Sequence, residues 1–181
     1  MTALGIGRRV RAAAGGPAGA LFVCAVWALA IVASYYVHPT ALVHRCALFC
    51  HLAALIVGFG AVLLVDWCGL LYLARRRTTE DVVRVACAAH PLVWIGLAGL
   101  VASGVALEPN LAATATRVKL ALVLVIGWNG LLAGKVSERL GRLPLVARPA
   151  RGVLAAGCAV AIVSQLGWWG STLIGFITAT H

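Results

Sequence analysis

The chain has 181 residues, 62% of them hydrophobic and only 11% charged, with a mean hydropathy of +1.00. Soluble domains carry about a quarter of their residues charged, so this composition excludes a soluble enzyme or binding module. The net charge of +10 would point to nucleic acid in a soluble protein. Here the basic residues lie between apolar runs, where they act as topology signals and contacts for anionic lipid, and no nucleic-acid partner is expected.

Apolar runs of about 20 residues recur, the length that crosses a bilayer core as helix. They are continuous and rich in Ala and Leu rather than alternating, which favours helices over the strands of a barrel. The expected fold class is all-α: one polytopic membrane helical bundle over residues 1–181, with five transmembrane helices and no separate soluble domain.

Arg8, Arg9 and Arg11 precede a first span at about 18–37. Ser34, Tyr35 and Tyr36 read as an interfacial belt, so this run is a membrane anchor rather than a cleaved signal. Pro39 closes it. The second span, about 46–73, holds most of the unusual polar groups: His44 and His51, Cys46 and Cys50, and Asp66, the one carboxylate inside an apolar run. It ends at Arg75, Arg76 and Arg77.

Thr78 with Asp81 in the following turn marks the start of a third helix over about 79–107. Pro91 should kink it and free the Cys87 carbonyl. The alternative is an interfacial helix that breaks at His90, with the span proper beginning at Pro91. The fourth span is about 118–133, flanked by Arg117, Lys119 and Lys135, and the fifth is about 152–177, with Trp168 and Trp169 near its far end. Cys24, Cys68, Cys87 and Cys158 lie in or beside apolar runs and read as small hydrophobes. The Gly96, Gly99 and Ser103 spacing reads as close helix packing.

With the N-terminus cytoplasmic and the C-terminus outside, the cytoplasmic segments hold twelve Lys and Arg residues and the outer segments only Arg45, Arg117 and Lys119. That asymmetry sets the orientation in the membrane. His44 and His51 then belong to the outer part of the second span, and Asp66 lies about 22 Å deeper. His90, entering from the cytoplasmic side, and Asn129 fall in the same inner half as Asp66, so the three form a candidate inner cluster.

At about 100° per residue, His44, His51 and Asp66 share a stripe roughly 60° wide that should face protein. Cys46 and Cys50 fall nearly opposite, so His44, Cys46, Cys50 and His51 do not close around one ion on a straight helix. If His44 lies in the loop, that objection weakens. Asp66 has two readings, an intramembrane functional carboxylate or a salt bridge to the Arg75–Arg77 cluster.

Three functions follow. The first is handling of a small cation, a transition metal or a proton, through the intramembrane His and Asp groups. Thiolate and imidazole ligands at His44, Cys46, Cys50 and His51 suit a copper or zinc ion. The second is haem b held between His51 and His90, although topology puts them in different halves of the membrane. The third is a non-catalytic accessory subunit, as a homo-oligomer or in a larger membrane complex. No nucleophile elbow, phosphate loop or carboxylate pair is present, which argues against an enzyme of the familiar kinds.

The stretch Val93-Trp94-Ile95-Gly96-Leu97, then Ser103-Gly104, Lys119 and Asn129-Gly130, resembles a family of small bacterial polytopic inner-membrane proteins of no assigned activity. His51 and Asp66 match a His and an Asp in that family's preceding helix, and the likeness covers residues 48–134. The chain is also loosely similar to the larger copper-resistance D-type membrane proteins. The resemblance implies that the second to fourth spans are the core of the protein, and implies no chemistry.

Overall fold

The computed structural model describes residues 16–142 and 149–179. Arg8, Arg9, Arg11 and Arg148, which entered the charge argument, lie outside the described residues. Five helices follow one another: α1 Pro17–Ser34, α2 Ala41–Leu73, α3 Thr79–Val105, α4 Thr114–Gly141 and α5 Arg151–Ala179. All five are long and apolar enough to cross a membrane. Among the described residues there is no strand.

The helix starts follow from the sequence. Pro17 occupies the first turn of α1, where a missing N–H costs nothing. Thr78 and Asp81 form a reciprocal capping box at the start of α3. α3 then runs unbroken through Pro91, so the version with a separate interfacial helix ending at His90 does not hold. α2 begins at Ala41, capped by Thr40, and so includes His44 in the helix rather than in the preceding loop. It ends in a Schellman turn: Arg76 N–H donates to the Leu71 carbonyl and Arg75 N–H to that of Tyr72. Arg75 takes the left-handed position there, at φ 60, where glycine is the usual occupant.

Packing is tightest between α2 and α3. A Cβ on Gly96 would lie 2.5 Å from the Gly58 backbone nitrogen and 2.8 Å from the Ala54 carbonyl oxygen. Glycine at these positions lets the two backbones touch, the means by which membrane helices gain dispersion contacts without a hydrophobic drive. Gly58 also opens a notch for the ring of Trp168 from α5. Phe59, Val62, Leu97, Ile126 and Trp168 build the core around this crossing.

α4 packs antiparallel to α3, with Gly134 against His90, Gly130 against Trp94 and Gly127 against Leu97. α5 packs back on α4, with Gly167 against Ile126 and Gly170 against Leu122. α1 is held by Trp27, whose indole N–H donates to the Leu120 carbonyl at 2.9 Å. Arg75, Arg76, Arg77, Arg139, Arg142 and Arg151 gather at one end of the bundle, called the basic end below; the α1–α2 and α3–α4 loops form the far end.

Candidate functional site

The polar side chains of the apolar helices form two stations on α2, one toward each end. Nearer the far end, His51 Nδ1 lies 2.9 Å from Ser103 Oγ on α3. The Ser103 hydroxyl donates to the Gly99 carbonyl one turn back, at 2.6 Å, so its oxygen is left to accept. This network assigns the imidazole proton to Nδ1. Gly104 lies beside the same ring, where a Cβ would be in ordinary contact with it at 3.8 Å.

Lys119 on α4 reaches the same level. Each step along α3 from His90 to Trp94 to Leu97 is matched by a step back along α4 from Gly134 to Gly130 to Gly127. Continued outward, that register sets Lys119 level with Gly104 and Val105. Lys119 also shares a face of α4 with Val123, Gly127, Gly130 and Gly134, the face turned to α3. It is half-buried.

The second station lies toward the basic end. Trp169 Nε1 donates to Gln165 Oε1 at 2.9 Å, and Gln165 Nε2 donates to Asp66 Oδ2 at 2.6 Å. The indole fixes which way the amide points and so aims its N–H at the carboxylate. Asp66 Oδ1 has no hydrogen-bond partner among the described residues. Beside this relay the Phe59 and Trp168 rings stack at 5.6 Å and 2°, and Trp169 meets Phe59 edge-on at 5.0 Å.

The expected inner cluster is arranged differently. Asp66, His90 and Asn129 do share the half of the bundle toward the basic end, but they face different neighbours. His90 accepts from Trp94 Nε1 at 3.0 Å and lies against Gly134. Asn129, only 6% exposed, donates to the Val160 carbonyl at 2.9 Å and ties α4 to α5. The salt-bridge reading of Asp66 also fails: among the described residues no Lys, Arg or His lies within ion-pair distance of it.

His51 and His90 are not opposed across a haem-sized gap. His51 faces Ser103, thirteen residues along α3 from His90, which separates the two rings by about 20 Å along the bundle. His44, Cys46, Cys50 and His51 lie on one unbroken helix and do not converge, and Cys46 and Cys50 are exposed. Among the described residues no group of three or more His, Cys, Asp or Glu stands close enough to hold a metal ion. His38 Nδ1 lies 3.7 Å from Glu108 Oε1 between the α1–α2 and α3–α4 loops. All six cysteines are free, with Cys68 buried, Cys24 and Cys158 half-buried and Cys87 exposed.

Three participants were not anticipated. Ser103 had been read as a packing residue and also holds His51. Gln165 is the one amide inside the fifth apolar run, which was its available signal. Trp168, placed with Trp169 near the end of a span, is instead the most deeply buried large side chain, 2% exposed, because Gly58 leaves space for it.

No family model, curated protein or solved structure matches the chain.

Proposed function

We propose that this multi-pass membrane protein handles a small cation, the proton, and that Asp66 is the group that binds and releases it. The observation that carries the reading is the surroundings of Asp66. A carboxylate inside an apolar membrane helix costs a few kcal/mol and is retained for function or for a specific partner. The partner here is a neutral amide that engages one carboxylate oxygen, with no cation within ion-pair distance among the described residues to fix the charged form. Such a carboxylate can exist in either protonation state without losing its hydrogen bond, since Oδ2 accepts from Gln165 in both while Oδ1 takes or releases the proton.

The transition-metal version has less support, because the thiol and imidazole ligands lie on different faces of α2. The haem version needs two histidines that the register of α2 and α3 sets far apart. In the orientation favoured by the arginine distribution, Asp66 belongs to the cytoplasmic half and His51 to the outer half of an inner-membrane protein. The test is proton flux into proteoliposomes that carry an internal pH dye. The native chain should equilibrate an imposed pH difference, whereas Asp66→Asn, which keeps the acceptor for Gln165, should behave as empty vesicles. Equal flux through the native chain and Asp66→Asn would refute the role of Asp66.

A further inference from the structure

Asp66 and Gln165 are bonded to each other, yet both stand on the outer edge of the bundle. The residues three before and four after each of them lie on the same side of their helices. On α2 these are Leu63 and Leu70, and on α5 Ile162 and Trp169, all of them exposed. The carboxyl and the amide are themselves half-buried. Gln165 is at the midpoint of α5, fourteen residues or about 21 Å from either end. At that depth the seam between α2 and α5 presents an apolar face with a hydrogen-bonded polar pair at its centre. Membrane helices turn such groups toward protein rather than lipid, because hydrocarbon offers no hydrogen bond.

The pair also has hydrogen-bonding capacity left over, in self-complementary form. Its bond uses one carboxylate oxygen, Oδ2, and one of the two hydrogens on Gln165 Nε2. That leaves Asp66 Oδ1 as an acceptor and the second amide hydrogen as a donor. Two copies inserted the same way are related by rotation about the membrane normal, which keeps each residue at its own depth. A two-fold rotation that brings this face against itself sets α2 of one copy opposite α5 of the other. Because Asp66 and Gln165 are already level within a copy, each Asp66 then meets the partner's Gln165.

We propose that the α2–α5 seam is a homodimer interface, in which Asp66 and Gln165 of two copies close a ring of four hydrogen bonds. Two are the bonds within each copy, and two run from Gln165 Nε2 to Oδ1 of the partner's Asp66. Leu63, Leu70, Ile162 and Trp169 enclose the ring and exclude lipid from it. When Oδ1 is protonated it donates instead to Oε1 of the partner's Gln165, a carbonyl that takes one bond from Trp169 and has a second lone pair. The interface thus accommodates both states of the carboxyl. The pairing goes beyond the proton reading and stands or falls separately.

The chain has a single glutamine, and its only other aspartate is Asp81 at the start of α3. One batch of full-length protein is isotope-labelled at the aspartate carboxyl carbon, another at the glutamine amide nitrogen. The two are mixed in detergent, reconstituted into phosphatidylcholine bilayers and measured by solid-state NMR. A carbon–nitrogen coupling in the mixed sample can arise only between copies, and the expected separation is about 4 Å. Coupling that appears only when both labels are on one chain would overturn the proposal, whether lipid or another protein covers the face.

Energy transfer between copies labelled at the C-terminus gives a second readout as protein is diluted in lipid. Gln165→Leu should weaken self-association by about tenfold. Association unchanged in Gln165→Leu, or transfer in the native chain no higher than random encounter gives, would overturn the pairing as well. Asp66→Asn keeps an acceptor and gains a donor, so it should still pair even where proton flux is lost. Paired chains without Asp66-dependent flux would sink only the proton reading, and Asp66-dependent flux in a monomer only the pairing.

Discussion

His51 and Asp66 occupy the same helix, fifteen residues and about 22 Å apart, yet the surrounding protein holds them in different ways. The His51 station sits where α2 and α3 are pressed together through Gly58, Gly96 and Gly99, so its neighbours are set by backbone contact. The Asp66 station sits where α2 meets α5, two helices joined by side-chain bridges: the Gln165 amide and the stack of Phe59 on Trp168. The first is rigid and carries positive charge beside it. The second is a seam, with a carboxylate and a neutral partner. A proton-exchanging group benefits from the second setting, because a seam admits a small change in hydrogen bonding without separating two backbones.

The largest break in this comparison is expected from Gly96→Ala. Its added methyl meets the Gly58 backbone and the Ala54 carbonyl, neither of which can rotate away. Overpacking of this kind costs about 3 kcal/mol or more, and should reduce the yield of folded protein in detergent and disturb both stations together. Gln165→Leu acts on the seam alone. It leaves the Asp66 carboxyl without its donor, at a cost of about 1–3 kcal/mol, measurable as a lower denaturation midpoint in detergent, with the α2–α3 crossing intact.

Ser103→Ala should cost about 1 kcal/mol and release the His51 ring, read as loss of a single imidazole orientation by NMR, while Asp66-linked proton flux persists. At the smallest end, Arg75→Gly relieves a left-handed residue at the end of α2 and should raise stability by about 1 kcal/mol in the same denaturation assay. If Gln165→Leu instead abolished folding and Gly96→Ala were tolerated, the contrast between rigid crossing and seam would be reversed.

The five helices were legible because membrane spans announce themselves by length and composition, and Thr78 with Asp81 announced the start of α3. The depth of each polar group was legible as well, since helical rise converts position to height: His51 lies in one half, and Asp66, His90 and Asn129 in the other. Lateral neighbours were not legible. Whether Asp66 meets His90 or Gln165 depends on which helix lies beside α2 at that height, and no periodicity on α2 carries that information. Gly58 shows why: its lack of a side chain admits Trp168 from α5, an effect that exists only once the helices are assembled. The four-residue pattern of His44, Cys46, Cys50 and His51 shows the reverse case, ligand letters close in sequence that one straight helix keeps apart.

The most direct test of the account follows the Asp66 carboxyl itself. The chain has two aspartates, Asp66 and Asp81, so isotope-labelled aspartate in an Asp81→Asn background leaves one labelled side chain. Infrared difference spectra of this protein in proteoliposomes, recorded as the buffer pH is stepped across the physiological range, report its protonated and ionised carboxyl bands. The account predicts reversible exchange between the two bands, altered by Gln165→Leu. A carboxyl that stays in one state throughout that range would contradict it.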